Sequence, residues 1–413
     1  MQIALNIPQK LTADIALPAS KSVSNRALLL QALCPIQKYT IANLAACDDT
    51  DHMQQGIEAK QEGARLIDIG ATGTAMRFLT AYLAITPGMT TITGSERMQQ
   101  RPIGTLVEAL RTLGADITYI NKEGYPPLRI QGKPLQGGAL EIEAGISSQY
   151  ISALLMIGPC MNEGLTLKLK GDIASRTYIE LTLDLMRKYG ATVEWADAQT
   201  LRVEPGTYED IPLTVEADWS AASYWFELAA VAAHQGHEVK ISLPALVPDS
   251  QQGDRVVALL FEELGIRTEY SEKGAQLFNS EIRNQKSELA FDFTHCPDIA
   301  QTMAVTYCLL GIPFTFNGIR RLRIKETDRV AALINELHKL GFVLRAEGDE
   351  QLVWDGTRCT PDEHPAIATY DDHRMAMAFA PAALCYEGLT IEHPEVVTKS
   401  YPGFWKDLNK IEN

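Results

Sequence analysis

The chain has 413 residues, of which 46% are hydrophobic and 22% charged, and its formal net charge is −15. This length exceeds what one hydrophobic core supports, and the composition is typical of a globular protein, so two domains are expected. The acidic balance disfavours nucleic acid and anionic membranes as partners, and no apolar run reaches the roughly 18 residues of a membrane span.

The seven cysteines are scattered, odd in number and never form a C-x-x-C pair. This pattern argues against a disulfide framework and against a structural zinc site. The opening residues, MQIALNIPQKLTADIALP, lack the basic stretch and apolar core that mark a secretory signal. We therefore expect a reducing, cytoplasmic location.

Along the chain, one pattern recurs: an amphipathic helix that ends at a glycine and runs into a strand. Its copies are TLVEALRTLGADITYI, ELTLDLMRKYGATVEW, VVALLFEELGIRTEY and VAALINELHKLGFVLRAEG. Their glycines are Gly114, Gly190, Gly265 and Gly341, separated by 76, 75 and 76 residues. Each glycine suits the left-handed position that ends a helix. An earlier copy, GIEAKQEGARLIDI, ends at Gly63, only 51 residues before the next.

A second recurring pattern is a nearly all-apolar helix with a polar start, which must be buried. Its copies are SKSVSNRALLLQAL, ATGTAMRFLTAYLA, SSQYISALLMIG, DWSAASYWFELAAVAA, PDIAQTMAVTYCLL and DDHRMAMAFAPAAL. Their starts lie 51, 76, 71, 79 and 74 residues apart, so both patterns share one short interval. The chain therefore reads as six copies of one helix–strand unit, three to a domain, rather than as a continuous solenoid.

The starts of the apolar helices suit anions, because helix N-termini offer unpaired N–H groups and partial positive charge. The residues at these starts include Ser20, Lys21, Ser22, Gly73, Thr74, Ser147, Ser148, Gln149, Asp298 and Asp372. The alternative is that each Ser or Asp only caps its helix, a contribution of about 1 kcal/mol.

Three strings hold more charge than a cap requires: SKSVSNRALLL, RLRIKETDRV and YDDHRMAMAFA. Each could also be a solvated face or a local set of ion pairs. Neither a G-x-x-x-x-G-K-[ST] loop nor a G-x-G-x-x-G fingerprint occurs, which disfavours those nucleotide-binding folds.

At these residues the chain resembles the 5-enolpyruvylshikimate-3-phosphate synthase family, along nearly its whole length. The motifs, in the family's order, are LPASKSVSNRALLL, GTAMRFLTA, RPIGTLVEALRTLGA, SSQYISALL, RIKETDR, DDHRMAMAF and TKSYPGF. The resemblance implies an α/β (α+β) fold of two similar domains, each of three βαβαββ units with buried parallel helices in an inverted-barrel-like arrangement. The implied domains are residues 1–19 with 217–413, and residues 20–216, with the active site in the interdomain cleft.

The implied reaction transfers the enolpyruvyl group of phosphoenolpyruvate to the 5-hydroxyl of shikimate 3-phosphate and releases phosphate. It proceeds by addition and elimination through a tetrahedral ketal, within the shikimate pathway to chorismate and the aromatic amino acids. The resemblance implies no metal and no organic cofactor, and it suggests a monomer.

Matching motifs also assign residues to each substrate. For shikimate 3-phosphate the resemblance implies Lys21, Ser22, Arg26, Ser147, Ser148, Gln149, Ser175, Tyr178, Asp298, Arg321 and Lys325. For phosphoenolpyruvate it implies Lys21, Gly73, Arg101, Gln149, Arg329, Arg374 and Lys399. Arginine suits this role because its guanidinium fork pairs with carboxylate and phosphate oxygens at two points. Asp298 is expected to handle the hydroxyl proton and Glu326 the methylene proton, with Lys21 able to share proton transfer.

The chain departs from the family pattern in three places. Where the family commonly reads Asn-Ala-Gly-Thr-Ala-Met-Arg-Pro, residues 71–78 read ATGTAMRF, which leaves the detailed pocket shape and the response to glyphosate open. Arg321 stands where some members have an Asn that contacts shikimate. The segment between Asp49 and Gly73 is short, which predicts that one unit lacks a strand pair.

Two other functions compete with this one. The related transferase that acts on UDP-N-acetylglucosamine shares the fold and reaction type, but it resembles members with a Cys in the loop before the phosphoenolpyruvate arginine. The corresponding loop, GSERMQQRPIG, has none. A non-catalytic anion-binding protein is the third possibility, and it predicts that Asp298 and Glu326 tolerate exchange for their amides.

Overall fold

The structure is a computed structural model that describes residues 1, 3, 9–145, 147–173, 175–281 and 289–412. In chain order the strands are β1 Lys10–Asp14, β2 Leu66–Asp68, β3 Gly88–Thr93, β4 Asp116–Tyr119, β5 Leu128–Gly132, β6 Gly138–Glu143, β7 Leu165–Lys170, β8 Val193–Trp195, β9 Thr200–Val203, β10 Glu238–Pro244, β11 Ile266–Ser271, β12 Gly274–Asn279, β13 Leu289–Asp292, β14 Phe314–Asn317, β15 Arg345–Glu347, β16 Gln351–Trp354, β17 Ala366–Ile367 and β18 Thr390–Ile391. The α-helices are α1 Lys21–Leu33, α2 Asp48–Gln61, α3 Gly73–Ile85, α4 Glu96–Gln99, α5 Gly104–Thr112, α6 Ser148–Ile157, α7 Arg176–Lys188, α8 Trp219–His234, α9 Val257–Glu263, α10 Ala300–Leu310, α11 Arg329–Lys339, α12 His373–Phe379 and α13 Phe404–Leu408.

The chain divides into two compact units. Unit one is Met1–Pro18 with Glu216–Asn413, and unit two is Ala19–Val215. Each unit has its own cluster of buried hydrophobic side chains. Within the described ranges, no helix combines the length and the apolar character that crossing a membrane requires.

A complete repeat folds as βαβαββ around a four-stranded sheet. In the sheet β6-β7-β9-β8, the first two strands run parallel across α6, and the last two form an antiparallel pair. The same order recurs in β2-β3-β5-β4, β13-β14-β16-β15 and β1-β10-β12-β11. In the last sheet, β1 comes from the start of the chain and pairs in parallel with β10, with Lys10 opposite Glu238. The predicted α/β class and βαβαββ unit are confirmed.

The short interval of the repeat marks missing strands, as predicted. α2 ends at Gln61 and β2 begins at Leu66, and the chain between them, which is fully described, contains no strand pair. Beside α1, the described chain has an isolated bridge between Ala42 and Thr214 in place of a sheet. The copy around α12 is also reduced, to the two-stranded sheet β17-β18, which the sequence pattern did not predict.

The four repeat glycines end their helices as predicted. Gly114, Gly190, Gly265 and Gly341 follow α5, α7, α9 and α11, with φ of 99°, 89°, 87° and 86°. A side chain is disfavoured in this left-handed conformation, so glycine both stops the helix and turns the chain toward the next strand.

The apolar helices are buried as predicted, α1, α3 and α6 in unit two and α8, α10 and α12 in unit one. Two of their ends differ from the sequence pattern. α10 begins only at Ala300, because Pro297–Ile299 form a 3-10 turn. α12 stops at Phe379 and continues as a 3-10 turn, where Pro381 has no N–H to donate along an α-helix.

Candidate active site

In unit two, the predicted residue Lys21 opens α1, after the cap Ser20. Its ammonium lies 2.8 Å from the Asp49 carboxylate in the first turn of α2, and the two side chains are 16% and 5% exposed. A buried charge needs a partner of opposite charge. Asp49 therefore fixes the position of Lys21, a role that sequence reasoning did not assign to it.

Arg26 lies inside the helix packing rather than on its surface, at 2% exposure. Its Nε donates to Thr182 Oγ1 at 2.7 Å, and its Nη2 is 3.3 Å from both Ser152 Oγ and the Tyr178 carbonyl. Its Nη1 donates to the Ser22 carbonyl at 2.9 Å, in the first turn of α1. Burial lowers the pKa of this guanidinium to about 10. Arg26 thus ties α1 to α6 and α7.

Gly73 is the first residue of α3 and lies against two guanidinium groups. A Cβ added here would be 2.7 and 2.9 Å from Arg101 Nη1 and Nη2, and 2.8 Å from Arg77 Nη1. A side chain at this position would therefore displace the guanidinium groups, and glycine permits their close approach. Two guanidinium groups at the N-terminus of a buried helix create a region that favours an anion.

Thr72, one of the residues that depart from the family pattern, comes directly before α3. The Thr72 side chain does not cap α3. Its hydroxyl instead lies 3.2 Å from Nδ1 of His52, which is also 2.7 Å from the Asp48 carbonyl in α2.

The start of α6 is hydrogen-bonded to the start of α3. Ser147 caps α6 by accepting from the Gln149 amide at 3.2 Å, and Ser148 is the first residue of the helix. The Gln149 side chain donates from Nε2 to Thr74 Oγ1 at 3.0 Å. The predicted residues of these two helices therefore lie in one place.

Ser175, just before α7, has a strained backbone. Its φ of 53° and ψ of 38° are left-handed, which costs a residue with a side chain about 1 kcal/mol. Such strain concentrates at functional positions. Three residues later, the ring centre of Tyr178 lies 5.9 Å from the guanidinium carbon of Arg26. Tyr178 and Arg26 therefore lie in the same part of unit two.

In unit one, three cations converge on Asp298, which lies in the 3-10 turn before α10 rather than at a helix cap. Its Oδ1 is 3.3 Å from Arg329 Nη1 and 3.5 Å from Lys325 Nζ, and its Oδ2 is 3.1 Å from Arg374 Nη2. Arg374 Nη1 also donates to the Asp298 carbonyl at 3.0 Å. Burial lowers the pKa of Lys325, although Asp298 opposes that effect.

Glu326 lies between two of the predicted cations, Arg329 again and Lys399. Its Oε2 is 3.0 Å from Arg329 Nη2, and its Oε1 is 3.0 Å from Lys399 Nζ. Glu326 and Lys399 retain 15% and 13% of their side-chain exposure. The structure therefore brings both expected proton-transfer acids into one network with four cations, Lys325, Arg329, Arg374 and Lys399.

Asp372, at the cap of α12, holds two arginines of this network. Arg329 donates to its carboxylate at two points, Nε at 2.7 Å and Nη2 at 3.3 Å, and the side chains are 2% and 0% exposed. Burial alone would lower the pKa of Arg329, but Asp372, Glu326 and Asp298 together raise it. The same carboxylate accepts from the Arg374 amide at 2.9 Å, so it fixes the starts of α11 and α12 relative to each other.

A further acid lies behind Arg374. Arg374 is 3.5 Å from the Ser220 hydroxyl and 3.4 Å from the Tyr224 hydroxyl, both in α8. Ser220 in turn donates to the carboxylate of Asp254. Burial, reinforced by Asp298, raises the pKa of Asp254 to about 7, with Arg374 opposing.

The remaining predicted residue, Arg321, lies half-buried in the 3-10 turn Arg320–Ile324, which leads into Lys325. Burial lowers its pKa to about 10. The described residues contain no group of three or more His, Cys, Asp or Glu side chains arranged to hold a metal ion.

Sequence reasoning missed the residues that hold the site residues in place. Asp49, Ser220 and Asp254 contact their partners across 28, 154 and 34 positions of sequence, and no period relates these positions. The sequence carries only weak signals for the two acids. Asp49 lies in an acid-rich string after Cys47, and Asp254 ends the polar string SQQGD before α9.

Comparisons with known proteins agree along the whole chain. The family model described as EPSP synthase (3-phosphoshikimate 1-carboxyvinyltransferase) matches residues 5–408. A relative from Bacteroides fragilis, named 3-phosphoshikimate 1-carboxyvinyltransferase, is 52% identical over 99% of this chain and 98% of its own. Another of that name, from Photobacterium profundum, is 37% identical over 99% and 98%. An EPSP synthase structure from Acinetobacter baumannii, 20% identical, matches the fold with a TM-score of 0.77 over 100% of this chain and 98% of that one. The chain therefore belongs to the EPSP synthase family.

Proposed function

We infer that this protein transfers the enolpyruvyl group of phosphoenolpyruvate to the 5-hydroxyl of shikimate 3-phosphate and releases phosphate. The family to which the chain belongs carries the name of this reaction. The observation in the molecule that supports it best is the network of Asp298 and Glu326 with four cations in unit one. Two acids among fixed cations supply what addition and elimination on an anionic substrate require.

We propose that phosphoenolpyruvate is bound by cations from both units. Unit two would contribute Arg101, packed against Gly73, together with Lys21 and Gln149. Unit one would contribute Arg329, Arg374 and Lys399. These side chains suit the phosphate and the carboxylate, because guanidinium forks pair with both groups at two points.

Shikimate 3-phosphate would be held mainly by helix starts of unit two. Hydroxyl and amide groups at capped N-termini, with a nearby cation, suit its phosphate. The proposed residues there are Lys21, Ser22, Arg26, Ser147, Ser148, Gln149, Ser175 and Tyr178. Unit one would add Asp298, Arg321 and Lys325.

In the addition step, the 5-oxygen bonds to C2 of phosphoenolpyruvate, its proton passes to Asp298, and Glu326 gives a proton to C3. In the elimination step, the bond from C2 to the phosphate oxygen breaks, Glu326 takes a proton back from C3, and the proton held by Asp298 passes to the departing phosphate. Both acids thereby return to their starting states. Because Arg329 and Lys399 lie 3.0 Å from Glu326, a substrate anion bound to them would compete with its carboxylate. That competition would free Glu326 to carry the proton, and Lys21 could share proton transfer.

We further propose that the two compact units are the family's two domains, with the bounds that the resemblance implies, 1–19 with 217–413 and 20–216. A monomer in the cytoplasm, acting without a cofactor, completes the proposal. The seven cysteines are all free thiols, as a reducing compartment would favour.

The test measures phosphate release from purified protein with phosphoenolpyruvate and either shikimate 3-phosphate or UDP-N-acetylglucosamine. Release only with shikimate 3-phosphate is expected, and release with the sugar nucleotide would assign the chain to the other transferase activity. Glu326→Gln should lower the rate by about 100-fold or more, as loss of a positioned acid does. The matched control is Glu347→Gln, an exposed member of a surface ion pair, which should stay within about twofold. Full activity in Glu326→Gln would remove Glu326 from the mechanism.

A further inference from the structure

The segment that carries Arg101 is anchored one residue later, at the carbonyl of Pro102. This oxygen accepts from the Tyr150 hydroxyl at 2.6 Å and from Arg77 Nη2 at 3.3 Å. Tyr150 lies in α6 and Arg77 in α3, and they are 3% and 5% exposed. Two buried donors on two core helices thus hold one carbonyl of a loop.

Arg77 also connects this anchor to the start of α3. Its Nη1 donates to the Gly73 carbonyl at 2.9 Å. The Arg101 guanidinium lies against the same glycine, 2.7 Å from where a Cβ would stand. The proline ring fixes φ at Pro102, so a held carbonyl leaves the backbone of Arg101 little freedom to turn. The two donors therefore help to hold the segment that carries Arg101.

We propose that the Tyr150 hydroxyl, together with Arg77, is a positioning device that holds Arg101 against the first turn of α3 and thereby sets the affinity for phosphoenolpyruvate. This inference rests on the proposed function, in which Arg101 binds that substrate. Tyr150 and Arg77 act through Pro102 and need not touch the substrate. The competing explanation is that the Tyr150 hydroxyl contributes only to the stability of unit two.

The chain offers a matched control at the other end of α6. The Tyr208 hydroxyl donates to the Met156 carbonyl at 2.7 Å, and Tyr208 is 2% exposed. Tyr150→Phe and Tyr208→Phe each remove one buried hydroxyl that donates to a backbone carbonyl in unit two. They should lower the melting temperature similarly, but only the first releases the Arg101 segment.

Steady-state kinetics of both variants separate the two explanations. Tyr150→Phe should raise KM for phosphoenolpyruvate about three- to tenfold, which corresponds to the free energy of one lost hydrogen bond. KM for shikimate 3-phosphate should stay within about twofold of the wild-type value. Tyr208→Phe should change neither. Equal shifts of both KM values in Tyr150→Phe, or no shift beyond that of Tyr208→Phe, would overturn the proposal.

Hydrogen exchange gives a readout that needs no turnover. The amide of Arg101 donates to the Met98 carbonyl at 3.0 Å, and that of Ile103 to the Gly124 carbonyl at 2.9 Å. In Tyr150→Phe, amides of residues 98–103 should exchange faster than in wild type or Tyr208→Phe. If the wild type lacks activity with shikimate 3-phosphate, the proposed function fails, and faster exchange would still uphold the anchor. Unchanged exchange of these amides in Tyr150→Phe would by itself overturn the proposal.

Discussion

Gly73→Ala perturbs the proposed site directly, because the added methyl would displace two guanidinium groups. The new Cβ would lie 2.7 Å from Arg101 Nη1 and 2.8 Å from Arg77 Nη1, whereas ordinary contact begins at 3.4 Å. Arg77 is 5% exposed and bonded to the Gly73 and Pro102 carbonyls, so it resists displacement. Both guanidinium groups must therefore shift, Arg101 by roughly 0.7 Å and Arg77 by roughly 0.6 Å on the differences of those distances.

The expected effects follow from that displacement. A misplacement of about 1 Å can cost about 100-fold in rate, so kcat/KM for phosphoenolpyruvate should fall about 10- to 100-fold. The free energy of unfolding should fall by only about 0–2 kcal/mol, because overpacking costs about 1–3 and Ala in a helix regains up to about 1. The substitution should therefore lower kcat/KM for phosphoenolpyruvate much more than it lowers the free energy of unfolding.

The assay is steady-state phosphate release with each substrate varied, alongside urea unfolding. Gly206→Ala is the matched control, because a Cβ there meets nothing within 4 Å and φ is not positive. That variant should match wild type in both measurements. A Gly73→Ala protein with unchanged kcat/KM for phosphoenolpyruvate would refute the reasoning, since Arg101 would then either accommodate the methyl freely or not bind this substrate.

Two further predictions concern buried acids of unit one. Asp372→Asn should lower the free energy of unfolding by about 3 kcal/mol, because it leaves Arg329 buried without its bidentate partner while Asn still caps α12. The exposed Asp349→Asn, 3.7 Å from Arg323, should cost less than about 1 kcal/mol, and equal losses in urea unfolding would contradict the argument. Burial raises the folded-state pKa of Asp254 to about 7. The free energy of unfolding should therefore be highest below about pH 4, the ordinary pKa of an aspartate carboxyl group. It should fall by up to about 4 kcal/mol as the pH rises toward 7. Asp254→Asn, which can still accept from Ser220, should abolish that decline, and parallel pH profiles of unfolding for the two proteins would count against it.

The helix ends and the buried helices were predictable from the sequence, whereas the start of α10 was not. Glycine at a helix end has a local cause, and so Gly114, Gly190, Gly265 and Gly341 were predictable, as were the buried helices that recur with them. The missing strand pair before β2 was predictable from spacing alone. The late start of α10 was not, because the 3-10 turn Pro297–Ile299 brings Asp298 to three cations from elsewhere in the chain. Those contacts arise only from tertiary packing.

The site itself shows the same limit. Motifs named the cations, but they did not reveal which acids accompany them: Asp49 beside Lys21, or Asp372 beneath Arg329. These carboxylates have no local signature, since an Asp at a helix start looks like a cap, and Asp372 is one. Only the packed structure distinguishes an acid that caps from an acid that also neutralises a buried arginine.

The exposure of these acids separates two functions. Asp372 is fully buried and bound to Arg329 at two points, so a substrate anion has no route by which to replace it. In the proposed site, Asp372 would keep the Arg329 guanidinium oriented before phosphoenolpyruvate arrives, which would lower the reorganisation that binding requires. Glu326 retains 15% exposure and meets Arg329 and Lys399 through one oxygen each. In the proposed mechanism, an incoming phosphate or carboxylate would compete for those contacts. Arg329 would then stay fixed by Asp372 while Glu326 becomes available for proton transfer.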